Sequence, residues 1–190
     1  MAVEPEADEA LIARYARGEA AAFDALYRRH EMRIWRYLLR NMSDRPLAEE
    51  LMQEVWLAVA RDAGRYRPTA PFITWLFTIA RNRLIDARRR QRRHLSLEAL
   101  AEEGAALPEA LVTAPAAGPL SAALVADEAG ALMRALGELP HEQRDAFLLQ
   151  AEGELSVEEV AVVTGSSFET TKSRLRYARS KLRALLEAYA

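Results

Sequence analysis

Apolar positions recur along this chain at three- and four-residue intervals, and no stretch alternates apolar and polar residues as a half-buried strand does. The pattern predicts an all-α protein. It divides into a helical block over 8–94, a connector over 95–119 and a second helical block over 120–190, with no internal repeat. The connector is rich in Ala, Pro and Glu and is broken by Pro108, Pro115 and Pro119. With few large apolar groups to bury, it is expected to be flexible, extended or partly disordered.

In the first block, Asp44 and Pro46 open a helix running to about Arg61. Leu47, Leu51, Val55 and Ala58 share one side of it, with Met52 and Val59 beside them. Glu49, Gln53, Leu57 and Ala60 share the other, with Glu50 and Trp56 at its edges. A solvated face rarely carries both Trp56 and Leu57. Either a neighbouring helix covers Trp56, or this face docks a protein through carboxylates, an amide and apolar anchors.

Next comes the loop "RDAGRYRPTAPF" (Arg61–Phe72), either a plain polar connection or a tyrosine among arginines suited to clamping an unpaired base. The helix projected over 72–93 has two faces. Ile73, Leu76, Phe77, Ala80, Leu84 and Ala87 form a core stripe; Trp75, Thr78, Asn82, Asp86, Arg89 and Arg93 lie opposite. Arg81, Arg88 and Arg92 flank one edge, Arg83 and Arg90 the second.

The second block contains "LSVEEVAVVTGSSFETTKSRLRYAR". Ser156 with Glu159 and Ser166 with Glu169 read as two capping boxes. Gly165 between them allows the positive φ of a tight turn, and Ala161 suits a close crossing. This is helix-turn-helix spacing. A core seam is expected at Phe168, Thr171, Leu175, Ala178, Leu182 and Leu185. Opposite lie Glu169, Thr170, Ser173 and Tyr177 for base edges, with Lys172, Arg174, Arg176 and Lys181 for phosphates. Upstream, Pro140 starts a supporting helix with Ala146, Phe147 and Leu149 as core.

Composition sharpens this picture. The 190 residues are 51% apolar, enough to bury real cores, and contain no cysteine and three scattered histidines, so neither a thiolate site nor a histidine metal cluster is expected. No signal peptide or membrane-length apolar run stands out, and a soluble, cytoplasmic protein without membrane insertion is expected. The net charge of −2 hides strong segregation. Residues 80–93 hold seven arginines against Asp86, and 166–190 hold six basic groups against two acidic ones. Residues 95–130 hold six carboxylates (Glu98, Glu102, Glu103, Glu109, Asp127, Glu128) and no basic group. Arginines this dense repel one another unless a polyanion is near, and their planar forks suit phosphate.

Four motifs, "DRPLAEELMQEVWL", "FITWLFTIARNRLIDARRR", "LPHEQRDAFLL" and "LSVEEVAVVTGSSFETTKSRLRYAR", stand in the order and spacing of bacterial RNA polymerase sigma factors of the extracytoplasmic-function group, which the chain resembles over nearly its whole length. The resemblance implies sigma domain 2 over 8–94, a linker over 95–119 and sigma domain 4 over 120–190. It implies a transcription initiation factor, with no enzymatic activity and no cofactor, that partners core RNA polymerase (the beta-prime clamp helices and the beta flap), promoter DNA and an anti-sigma factor. Asp44, Glu49, Glu50, Gln53, Glu54, Trp56 and Leu57 would grip polymerase. Arg65, Tyr66, Arg67, Thr69, Trp75, Asn82, Arg83, Asp86, Arg89, Arg90 and Arg93 would melt and read the minus-ten element, with Arg88 and Arg92 also on phosphates. Ser167, Glu169, Thr170, Lys172, Ser173, Arg174, Arg176 and Tyr177 would read the minus-thirty-five element. The acidic linker would thread near the polymerase active centre.

The chain departs from the family where a Pro-x-Gly-Thr-Val-Lys-Ser-Arg run often enters the reading helix. Here Glu169 replaces glycine, Thr171 replaces valine, and Tyr177 stands where arginine is frequent. Whether Trp75 reaches a base or packs against the preceding loop stays open. A stand-alone helix-turn-helix regulator would explain residues 120–190 equally well, but not the loop and arginine helix of the first block, nor an exposed Trp56 and Leu57. An enzyme, such as a DNA hydrolase, lacks clustered carboxylates or a phosphate loop to rest on.

Overall fold

The computed structural model describes residues 6–101 and 130–187, and every regular element among them is helical. Four helices form the first unit: α1 (Asp8–Ala16), α2 (Ala20–Met42), α3 (Arg45–Asp62) and α4 (Phe72–Ala101), with one turn of 3-10 helix at Ala63–Arg65 before α4. Four more form the second: α5 (residues 130–137), α6 (His141–Ala151), α7 (Val157–Thr164) and α8 (Phe168–Glu187). α4 runs past the boundary expected at 94, and the rest of the connector lies outside the described residues.

Local chemistry explains the helix ends. The Asp44 side chain accepts the Leu47 N–H at 3.0 Å, and Pro46 sits in the first turn, where no donor is needed. Ser156 and Glu159 form the expected capping box, and Gly165 ends α7 in the left-handed region at φ 63°. The box expected at Ser166 and Glu169 does not form. α8 starts one residue later, Ser167 Oγ accepts the Thr170 N–H at 3.1 Å, and the Ser166 hydroxyl instead joins those of Thr164 and Thr171. The start of α4 is fastened from afar, since the Glu9 carboxylate of α1 accepts the Phe72 N–H at 2.9 Å.

Three helices face inward in the first unit through Leu26, Ile34 and Leu38 of α2, Leu51, Val55 and Val59 of α3, and Leu76, Phe77 and Leu84 of α4, all fully buried. In the second, Thr171, Leu175, Ala178 and Leu182 form the buried seam of α8 as expected. Phe168 and Leu185 are the exceptions: Phe168 begins the helix and is 41% exposed, and Leu185 is half-buried at the margin of the core. Phe147 likewise packs only at the margin of the core, and Leu148 takes the buried place beside Ala146 and Leu149.

The two units lie against each other, an arrangement that the connector between them had concealed. One apolar cluster runs through both. Asp145 of α6 is 4% exposed and accepts from Tyr37 of α2 at 2.5 Å and from Arg81 of α4 at 2.6 Å. Arg33 of α2 donates to the carbonyls of Glu152 and Gly153 at 2.9 and 2.6 Å, and Arg40 pairs with the Glu152 carboxylate. Thr74 of α4 donates to Glu159 of α7 at 3.0 Å. At Gly153 a Cβ would come within 2.4 Å of the Leu149 carbonyl oxygen and 3.3 Å of Phe77 of α4, so the turn after α6 has room for glycine alone.

Candidate nucleic-acid interface

Helix α8 carries the first candidate surface. Its buried seam turns Ser167, Glu169, Thr170, Lys172, Arg176 and Tyr177 outward, with Ser173 and Arg174 half-buried between them. All eight expected residues thus lie along one exposed helical strip. Tyr177 is 54% exposed, and the Arg176 guanidinium stacks 4.9 Å from its ring centroid and hydrogen-bonds its hydroxyl at 3.3 Å. That stack presents a cation and an aromatic face together. Glu169 lies in the first turn, where its charge favours the helix dipole. The supporting helix α7 is held at both ends by its capping box and by Gly165.

The second surface is the polar stripe of α4. Asn82, Asp86, Arg89, Arg90 and Arg93 are exposed, and Arg83 is half-buried. Arg65, Arg67 and Thr69 are exposed on the preceding loop, and Arg65 is held against Asp62 at 3.3 Å. Trp75 takes neither extreme of the open alternative. It is half-buried, packed against Tyr66 and Phe72 at centroid distances of 5.2 and 5.8 Å. The Tyr66 hydroxyl donates to the Ala70 carbonyl at 2.8 Å, which pins the loop beneath this cluster. Burial, with the charges of Glu9 and Asp8, pushes the Tyr66 hydroxyl above its ordinary pKa.

Two arginines of α4 are engaged by other helices and are not free on its exposed polar stripe. Arg81 is used by Asp145, and Arg88 donates to the carbonyl and side-chain oxygens of Asn41 at 3.2 and 2.9 Å. Arginine runs look alike in sequence; which of them face another helix depends on contacts across 47 and 64 positions.

The expected protein-docking face of α3 divides. Leu57 is 70% exposed, beside exposed Glu49, Glu50 and Gln53. A shallow groove between α2 and α3 adds Tyr27, Met32 and Trp35 to this face. Trp56 does not belong to it. Only 5% exposed, Trp56 is covered by Phe23 and Tyr27 of α2 at 5.7 and 4.9 Å, so the neighbouring-helix reading is correct. Asp44 serves as the cap of α3. Glu54 approaches Arg83 at 3.9 Å and Arg90 at 3.4 Å, so it joins the docking face to the arginine stripe.

Sequence reasoning missed the buried polar residues that fasten these elements: Tyr37, Asn41, Asp145 and the Asp8–His30 pair at 2.7 Å. A polar residue on an apolar helical face was their only signal. No helix among the described residues is long and apolar enough to cross a membrane, and none of their acidic and histidine side chains cluster as metal ligands.

Known proteins resemble both parts of the chain. The sigma-70 region 2 family matches residues 26–94, and the sigma-70 region 4 family matches 129–182. The RNA polymerase sigma factor CarQ of Myxococcus xanthus is 35% identical over 91% of this chain and 94% of its own. The ECF RNA polymerase sigma factor SigL of Mycobacterium tuberculosis is 34% identical over 90% and 93%. Among solved structures, CnrH in complex with the cytosolic domain of CnrY superposes with a TM-score of 0.68 at 27% identity, covering 97% of this chain and 100% of that one. The sigma factor RpoE of Bartonella quintana, bound to the anti-sigma factor NepR, has the same fold at a TM-score of 0.68 and 24% identity, covering 87% and 96%.

Proposed function

We propose how this chain works from the premise that it belongs to the extracytoplasmic-function sigma factors of the sigma-70 family. It is an initiation factor for transcription and not a stand-alone regulator. Its residues 8–94 act as sigma domain 2 and 120–190 as sigma domain 4.

The observation that carries the reading is the pairing of a capped helix-turn-helix, whose reading helix is exposed, with a second, separate arginine-bearing stripe on α4. Domain 4 binds the duplex at the minus-thirty-five element. Ser173, Thr170 and Glu169 meet base edges; Lys172, Arg174 and Arg176 hold phosphates. Glu169 tolerates that setting only as an acceptor for a cytosine amino group or as a first-turn charge. Domain 2 opens the minus-ten element. The Tyr66–Trp75 cluster offers an aromatic platform for an unstacked base, and Asn82, Arg83, Asp86, Arg89, Arg90 and Arg93 line the strand's path. Leu57, with Glu49, Glu50, Gln53 and Glu54, docks on core polymerase.

The two elements lie apart along a promoter, whereas the two domains lie together in the free chain. Engagement therefore requires the Asp145 and Glu152 contacts to part, a loss that binding to polymerase offsets. CnrH is in complex with the cytosolic domain of another protein, CnrY, and for this chain the family resemblance makes an anti-sigma factor the expected partner of that kind.

In vitro run-off transcription with core polymerase and a promoter library tests the reading. Specific transcripts that depend on this chain are expected. Duplex binding by the free chain with no transcript and no polymerase association would overturn it.

A further inference from the structure

Where α4 passes the start of α6, the two domains leave a cleft of about 310 Å3. Its floor is the ion pair of Arg81 with Asp145, in which both charges are used. Its walls carry Arg88, Arg89 and Arg92 from α4, and His141 and Glu142 from α6.

Positive charge is also crowded just behind the Arg88 wall, around Asn41 and Arg144, which do not themselves line the cleft. The carbonyl of Asn41 accepts from Arg88 at 3.2 Å and from Arg144 of the other domain at 3.2 Å. Two guanidinium groups thus meet over one neutral oxygen. Their other acceptors are the Asn41 side chain and the carbonyls of Gly137 and Leu139, with no carboxylate among them. Arg144 is 7% exposed, and its Nε is buried without an acceptor. Asn41 lies in the last turn of α2, whose dipole supplies only a partial negative charge.

Titration directions agree with this crowding. Burial, with repulsion from Arg81 and Arg92, holds Arg88 below its ordinary pKa despite attraction from Asp145. Burial and Arg88 do the same to Arg144. Burial, Arg88, Arg144 and Arg92 lower His141, with Glu142 opposing.

We propose that this cleft binds a compact oligophosphate anion, such as a free di- or triphosphate group, held jointly by the two domains. Arginine forks match phosphate oxygens two at a time. The cleft's volume lies at the lower end of ligand pockets, which suits a small anion. The eleven-residue α6 begins at His141, so the positive end of its dipole adds to the same wall. Because the anion touches α4 and α6 together, it binds the packed arrangement and not the parted one, and so favours the packed form. This assignment does not depend on the promoter-binding reading, since its test uses neither polymerase nor a promoter.

Calorimetric titration of the full chain with inorganic triphosphate, at fixed ionic strength, tests it. One saturable site per chain is expected, weakened about tenfold by Arg92→Ala and by His141→Ala. Arg93→Ala, the same charge removed one position outside the cleft, should leave binding unchanged. Amide hydrogen exchange on adding triphosphate should slow around residues 85–92 and 141–145. Non-saturable binding, an equal loss in Arg93→Ala, or protection elsewhere would overturn the proposal. So would displacement of triphosphate by a short single-stranded DNA that shows the same Arg92 dependence, which would assign the cleft to nucleic-acid backbone.

Discussion

Single side chains in this protein divide between holding the fold and facing solvent, and Trp56 with Leu57 shows how finely. They are adjacent on α3, yet one is 5% and the other 70% exposed. Trp56→Ala would open a cavity beneath Phe23 and Tyr27, and a loss of about 3–5 kcal/mol is expected in urea denaturation. Leu57→Ala should change stability by no more than about 0.5 kcal/mol while weakening polymerase binding. Loss of polymerase binding by a fully folded Leu57 variant is thus the measurement that separates the two roles. Asp8 is a further residue with a stability role. Burial pushes its carboxyl up, but the hydrogen bonds and charges of His30 and Arg29 outweigh that and hold it below its ordinary value of 3.8. A lowered folded pKa favours the native state above the ordinary value, and that contribution is lost as pH falls through the folded value. In acid titration followed by circular dichroism, Asp8→Asn should therefore be less stable at neutral pH and show a shallower loss below about pH 4.

Helices were the most legible level. The core stripe of α4 and the seam of α8 follow from apolar spacing because each helix packs one continuous face, and the Asp44 and Ser156 caps follow from side chains that bond within three residues. The Ser166 cap failed because two adjacent serines compete for one role, and hydroxyl contacts with Thr164 and Thr171 decide between them. Arg81 and Arg88 could not be told from their neighbours for a related reason: their partners sit on other helices. The exposed strip of α8 yields a prediction at this level. Arg174→Ala and Arg176→Ala should each weaken promoter binding and reduce the slope of log K against log salt by about one. Fluorescence anisotropy across a salt series reads this directly, and an unchanged slope in both variants would argue against phosphate contact.

At the level of the whole molecule, the sequence showed two domains and their order, but not that they touch. Tyr37 and Asp145 are 108 positions apart, and no local pattern reports such a pair. Burial and the nearby Asp145 charge push the Tyr37 hydroxyl well above its ordinary pKa, so it stays a donor. Asp145→Ala would strand both that hydroxyl and Arg81, costing the packed form about 3–5 kcal/mol. Small-angle scattering should then show a radius of gyration above the roughly 16 Å of one compact 190-residue body. Tyr37→Phe, which leaves the Arg81 pair intact, should shift it little. The packing of the domains has a further consequence. On the proposed reading, both DNA-facing surfaces point outward in the packed chain, where each is open to DNA on its own. What the free protein withholds is the distance between them, as a folded ruler shows both its marks and measures nothing. Selectivity for a promoter would then rest on straightening: a site with either element alone would meet half a reader, and only correct spacing on polymerase would reward the chain for coming apart.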